Sequence, residues 1–259
     1  MISLIGKTAV ICGSTQGIGK ATALLMAELD AKVVLVARNE EKLKKTQSEL
    51  RNPSLHEYLV ADFTHPNELK NTIENWAESN HAHILVNNTG GPKGGPIINA
   101  ETSEFTAAFS MHLICNHILV QALWNGMKKE NYGRIINVIS TSVKQPLDGL
   151  GVSNTIRGAV ANWSKTMANE LGQYNITVNN VLPGATNTDR LTSIAENKVK
   201  KNSDLSVEKV FKNMANLSPM KRIAEPNEVA NAIAFLASPM ASYINGINVP
   251  VDGGRTKSL

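Results

Sequence analysis

The sequence has little of several things, and each shortage excludes something. Two cysteines in 259 residues, Cys12 and Cys115, are too few for a disulfide framework or a thiolate-built metal cluster. No run approaches the roughly 18 consecutive apolar residues of a membrane-spanning helix, so no membrane association is expected. Met1 leads almost directly into an apolar run, without the basic and then apolar leader of a secreted chain. Together these points predict a reducing, cytoplasmic setting. Excess charge is also scarce, since 26 Lys and Arg against 22 Asp and Glu leave +4. The lysines at Lys42, Lys44, Lys45, Lys128, Lys129, Lys198, Lys200 and Lys201 have no aromatics among them. Such lysines belong to solvated helix faces, and no nucleic-acid partner is expected. With 42% hydrophobic and 19% charged residues the chain is an ordinary globular one, and residues 1–259 read as one domain.

What is present starts with TAVICGSTQGIGKATALLMAEL, from Thr8 to Leu29. The apolar run Ala9 to Cys12 stops at Gly13, and Gly17-Ile18-Gly19 opens a segment with Ala21, Leu24, Leu25 and Leu29 at helical spacing. That pattern is a strand, a tight glycine turn and a helix. Glycines suit a turn where a pyrophosphate must approach bare backbone and the first amides of a helix. Gly13, Ser14, Thr15, Gly17, Ile18 and Gly19 are therefore expected to hold a dinucleotide.

The alternation continues. Strands are predicted at 32–36, 55–61, 84–87, 134–139, 176–182 and 247–251, and helices at 40–51, 66–79, 102–129, 154–173 and 225–236. Residues 186–217 lose clear periodicity and read as a lid over a site. This order predicts a Rossmann-type α/β fold, a doubly wound parallel sheet of about seven strands with helices on both faces. Ligands in such sheets sit at the carboxyl ends of the strands, where strand order reverses. After the second strand comes Arg38, where many dinucleotide folds place a carboxylate for the ribose 2′-hydroxyl. A guanidinium there suits a 2′-phosphate, so NADP(H) is favoured and NAD(H) stays open; the plain alternative is an arginine in water beside Glu40 or Glu41.

The segment CGSTQGIG resembles the T-G-x-x-x-G-I-G signature of the short-chain dehydrogenase/reductase family, with Cys12 in the threonine slot, and the similarity runs from about Lys7 to about Gly254. The resemblance implies that Asp62 and Phe63 contact adenine, although an aspartate ending a strand also serves as a helix cap. It implies that Asn87-Asn88-Thr89-Gly90, similar to N-N-A-G, passes beside the adenine ribose while its asparagines bond the central sheet. Pro183, Gly184, Thr186 and Thr188 match P-G-x-x-x-T, which implies contact with the nicotinamide carboxamide.

The family's proton-transfer group is altered. Ser140 matches its serine, but thirteen residues on stands Ser153 in place of tyrosine, four further stands Arg157 in place of lysine, and twenty-eight before Ser140 stands His112 in place of asparagine. No Y-x-x-x-K occurs anywhere, at any of the four tyrosines. A phenol with a reference pKa of about 10 can be tuned to give up a proton; an aliphatic hydroxyl is far less acidic. Arg157 can grip ribose oxygens but passes no proton on. His112, acting through water and Ser153 or Ser140, is the expected donor, against the alternative of a packing or subunit-contact residue.

Two readings follow. One is an NADP(H)-dependent oxidoreductase acting on a small carbonyl or alcohol, in a divergent branch resembling 3-oxoacyl-[acyl-carrier-protein] reductases; the other is a silent NADP(H)-binding sensor or regulatory subunit. Lys144, Asp148 and Arg190 permit an acidic or a polar substrate without selecting one. The apolar residues Ile118, Leu119, Leu123 and Trp124, with Val160, Trp163 and Met167, exceed what one sheet contact needs, and the resemblance implies a homotetramer or dimer.

Overall fold

Short runs of β-branched and aliphatic residues such as Val33 to Val36 and Ile84 to Val86 are buried on both faces, as strands in a covered parallel sheet must be. In the computed structural model, which describes residues 2–201 and 205–258, they form one sheet. Its strands are β1 (Thr8–Cys12), β2 (Lys32–Ala37), β3 (Glu57–Val60), β4 (Ile84–Asn87), β5 (Gly133–Val138), β6 (Ile176–Pro183) and β7 (Asn248–Val251). The order is β3-β2-β1-β4-β5-β6-β7, with every neighbouring pair parallel. The chain runs outward from β1 to β3 and then returns to β4 beside β1, so the order reverses between β1 and β4.

One face carries α1 (Gly17–Glu28), α2 (Glu40–Glu49) and, late in the chain, an α-helix at Pro226–Ala237, with Met26, Leu43 and Ile233 in the core beneath. The other face carries α3 (Pro66–Ser79), α4 (Thr102–Phe109), α5 (Cys115–Lys129) and α6 (Gly151–Leu171), packed through Leu69, Ile73, Leu119, Leu123 and Ala168. Two more helices, α7 (Asp189–Lys201) and α8 (Val207–Asn216), precede the helix at Pro226, which is thus α9.

Three expectations change. The single helix expected over 102–129 is broken by a π turn, Ser110–Ile114, which widens the helix and resets which side chains face inward. This same stretch, Thr102–Lys129, is long and apolar enough to cross a membrane by length and hydropathy, a feature the search for unbroken apolar runs overlooks. Here Cys115, Leu119, Val120, Leu123 and Met127 are buried in the fold. The 186–217 segment, apart from 202–204, which lie outside the described residues, contains α7 and α8 and is not irregular: Leu191, Ala195 and Val210 are buried along one side of an otherwise lysine-rich pair.

Candidate active site

A cleft of about 700 Å³ opens at the carboxyl ends of the strands, at the reversal point. Its floor is the glycine turn. Gly13 has φ +59°, and a Cβ there would stand 2.5 Å from the Asn88 carbonyl oxygen; one on Gly19 would run into the Gly13 carbonyl. Bare backbone is thus a packing requirement that seats α1 against β4. Gly13, Thr15, Gly17 and Ile18 line the cleft. Ser14 and Gly19 are buried beneath it, and the Ser14 hydroxyl donates to the Val36 carbonyl (3.4 Å), so both shape the turn. Asn88 Nδ2 donates to the carbonyls of Cys12 (3.2 Å) and Gly13 (3.4 Å), fastening the end of β4 to the same turn.

At the end of β2 the cleft is lined by a guanidinium where a carboxylate is common. Arg38 lines it with Asn39 and Lys42, two residues that the sequence motifs did not flag. Asn39 Oδ1 accepts from the Lys42 amide (2.8 Å), capping α2 and bringing Lys42 one turn above Arg38. Glu40 is engaged by Lys44 (3.1 Å) and the Tyr58 hydroxyl (3.1 Å), and among the described residues Arg38 and Lys42 form no ion pair. Asp62 accepts from the Thr64 amide (2.9 Å), a bond that, with Arg38 nearby, holds its carboxyl below the usual range. The cap position of α3 is His65, so Asp62 is no helix cap; it lines the cleft with Phe63.

Beneath the site runs a ladder of asparagines in register across four strands. Asn87 donates to Asn137 (2.8 Å), Asn137 to Asn180 (3.0 Å) and Asn180 to Asn248 (2.8 Å). Buried amides bonded in this way fix the register of the strand ends that carry the site.

Thr89 and Gly90 follow on one wall, and Pro183, Gly184, Thr186 and Thr188 on the opposite one. Gly184 is another close approach, since a Cβ would lie 2.7 Å from Asp252 Cα. Ser140, Ser153 and Arg157 share the inner end. Ser140 Oγ accepts from the Ser142 amide (3.1 Å), which leaves its hydroxyl hydrogen for the cleft. Arg157, one turn beyond Ser153 on α6, donates from Nη1 to the Val138 carbonyl (3.2 Å). Burial, and then Arg190, bring its pKa down to about 10, so it stays charged near neutrality.

His112 does not behave as expected. The π turn buries it to 1% exposure behind Thr89, whose Oγ1 lies 2.7 Å from Nδ1, and it does not line the cleft. Burial, with Arg157 and Arg190 adding to it, pushes its pKa down to about 2. The ring is therefore neutral near pH 7 and has no acidic proton to give, which corrects its assignment as the donor.

The family model described as Enoyl-(Acyl carrier protein) reductase matches residues 13–256 of this chain. The chain belongs to the short-chain dehydrogenase/reductase family. Among similar short-chain dehydrogenases/reductases, NADPH-dependent reductase BacG of Bacillus subtilis is 32% identical over 98% of this chain and 99% of its own length. The 3-oxoacyl-[acyl-carrier-protein] reductase FabG of Vibrio cholerae is 31% identical over 98% of each. The structure of L-sorbose reductase from Gluconobacter frateurii, complexed with NADPH and L-sorbose, superposes with a TM-score of 0.92 at 32% identity, covering 100% of this chain and 99% of that one.

Proposed function

We propose that this chain, an oxidoreductase of the short-chain dehydrogenase/reductase type, moves a hydride between NADP(H) and a small carbonyl or alcohol by a proton path that uses no tyrosine. The observation that carries this is one continuous cleft. It has a bare-backbone turn on its floor, the cations Arg38 and Lys42 at one end, and Ser140, Ser153 and Arg157 at the other. The NADPH dependence of BacG and the NADPH held by L-sorbose reductase support the cofactor. Arg38 and Lys42 suit the extra phosphate, and the amides opening α1 suit the pyrophosphate. Bound there, the nicotinamide supplies or takes the hydride.

The chain's own residues do the rest. Arg157 grips the ribose hydroxyls with its planar fork. Ser140 donates its free hydroxyl hydrogen to the substrate carbonyl oxygen. As the new C–H bond forms, the carbonyl π pair becomes an alkoxide, which the fixed Arg157 charge stabilises. That alkoxide takes a proton from water, relayed by the Ser153 hydroxyl, which accepts one proton as it gives another. His112 is a positioning residue, holding Thr89 and through it the wall of the cleft.

Titration of NADPH fluorescence, followed by a panel of ketones, 3-oxoacyl thioesters and diketones, tests the reading. Saturable binding and NADPH oxidation with at least one carbonyl are expected. No uptake of either nicotinamide form overturns the reading, and binding without oxidation across the panel moves the protein to the silent-subunit alternative. A cytoplasmic homotetramer, or a dimer, is supported by the two free buried thiols, Cys12 and Cys115, and by Ile118, Trp124, Trp163 and Met167, which remain half-buried. Light scattering that gives a monomer at micromolar concentration removes the oligomer.

A further inference from the structure

Arg157 and Arg190 converge on one space, and among the described residues no carboxylate pairs with either. Arg190, the second residue of α7, donates from Nη2 to the Pro92 carbonyl. Its guanidinium and that of Arg157 both face Gly91: a Cβ built there would lie 3.4 Å from Arg190 Nη2 and 3.8 Å from Arg157 Nη2. Among the described residues neither arginine forms an ion pair, while Arg51 and Arg222 both do. Each guanidinium carries several N–H donors, and the protein uses few of them here. Beside them Nε2 of His112 is buried without a partner. Two guanidinium groups at the cleft thus keep unused donors, and a buried imidazole nitrogen next to them has no partner, which is uncommon for a buried polar atom.

The cofactor accounts for only part of this charge. Its phosphates belong at the glycine turn and beside Arg38, and its ribose beside Arg157. Arg190 lines the same cleft as Ser140 and Ser153, with Leu191 and Ile194 beside it in the chain also lining it. A fork set among apolar side chains suits a carboxylate, two oxygens against two parallel N–H donors. We propose that Arg190, reinforced by the charge of Arg157, holds the carboxylate of an oxo-acid substrate whose carbonyl is presented to Ser140 and Ser153. This rests on the reductase reading and narrows it from carbonyl compounds in general to small oxo acids.

The test compares matched pairs, 2-oxobutanoate with its methyl ester and 3-oxobutanoate with its methyl ester, in NADPH-dependent reduction. At least one acid is expected to exceed its ester in kcat/KM by about tenfold or more, chiefly through KM. Arg190→Leu is expected to lower kcat/KM about tenfold further for the acid than for the ester, and Arg190→Lys to restore part of the difference. Equal turnover of acids and esters, or equal losses in Arg190→Leu, overturns the inference and leaves the reductase reading standing. Dihydroxyacetone phosphate reduced in preference to every acid overturns the carboxylate. If no carbonyl of any kind is reduced, calorimetric titration of oxamate into protein saturated with NADP+ reads the same subsite. Uptake that weakens about tenfold in Arg190→Leu keeps the subsite while the reductase reading falls, and no uptake removes the subsite.

Discussion

Arginines stand at both ends of this sheet, Arg134 and Arg157 buried and Arg190 half-buried, and the two ends use them in opposite ways. Arg134, near the start of β5, is 1% exposed. Its Nη1 donates to the carbonyls of Gly133 (2.8 Å) and Asn175 (3.3 Å), its Nε to that of Ser238 (3.4 Å), and the Tyr132 ring lies 4.2 Å from the guanidinium carbon. Arg157 and Arg190, at the carboxyl end, make one carbonyl bond each. The histidines repeat the contrast. His56 accepts from the Val33 amide at Nδ1 (3.0 Å) and donates from Nε2 to the Arg51 carbonyl (2.7 Å), whereas His112 leaves Nε2 unpartnered. Arg134 and His56 spend their bonding capacity on their own chain and act as scaffold; Arg157 and Arg190 keep donors in hand where the cleft opens.

The contrast is open to breakage at several points. Arg134→Met strands three carbonyls and should lower unfolding free energy by roughly 3–5 kcal/mol in urea melts, with NADPH affinity of the folded fraction unchanged. A small loss there would erase the distinction between the two ends. Arg157→Met removes a charge that no acidic partner offsets. Stability should stay within about 1 kcal/mol of the parent while NADPH affinity falls by roughly 10–100-fold in fluorescence titration.

The histidine pair sharpens the comparison through pH. His112 is held near 2 in the folded chain against 6.5 for the unperturbed group, so on acidification the unfolded state binds the proton first. The stability it contributes is complete above pH 6.5 and falls by about 1.4 kcal/mol per pH unit below it. His112→Asn should remove that slope in urea melts compared between pH 5 and pH 7. The smallest effect belongs to Thr89→Val, which deletes the bond to Nδ1 and should cost about 1 kcal/mol of stability in the same melts.

Much of the fold was legible because it is written in local pattern. The helix at Pro66–Ser79 has the predicted bounds, since Pro66 suits a first helical turn and Leu69, Ile73 and Trp76 repeat at helical spacing. The glycine turn was legible because Gly13 sits at positive φ and Gly19 has no room for a side chain. What escaped had no local signature. Residues Ser110–Ile114 carry an unbroken helical pattern, and nothing in their spacing announces a π turn or a histidine rotated behind Thr89. Helices α7 and α8 hid in a polar stretch whose apolar positions follow no single period, and Leu191, Ala195 and Val210 gain meaning only when buried. Lys42 was overlooked because its link to the site passes through the Asn39 cap and not through a motif.

By itself the sequence determined the order of strands and helices, the bare turn at Gly13 to Gly19 and the missing carboxylate beyond β2, because periodicity, backbone freedom and side-chain chemistry act over a few residues. Only the tertiary structure decided that Arg157 and Arg190 meet over Gly91 and that His112 sits neutral beside them. Burial and Coulomb repulsion depend on distances between segments far apart in the chain, and those distances exist only once the sheet and its helices have closed around the cleft.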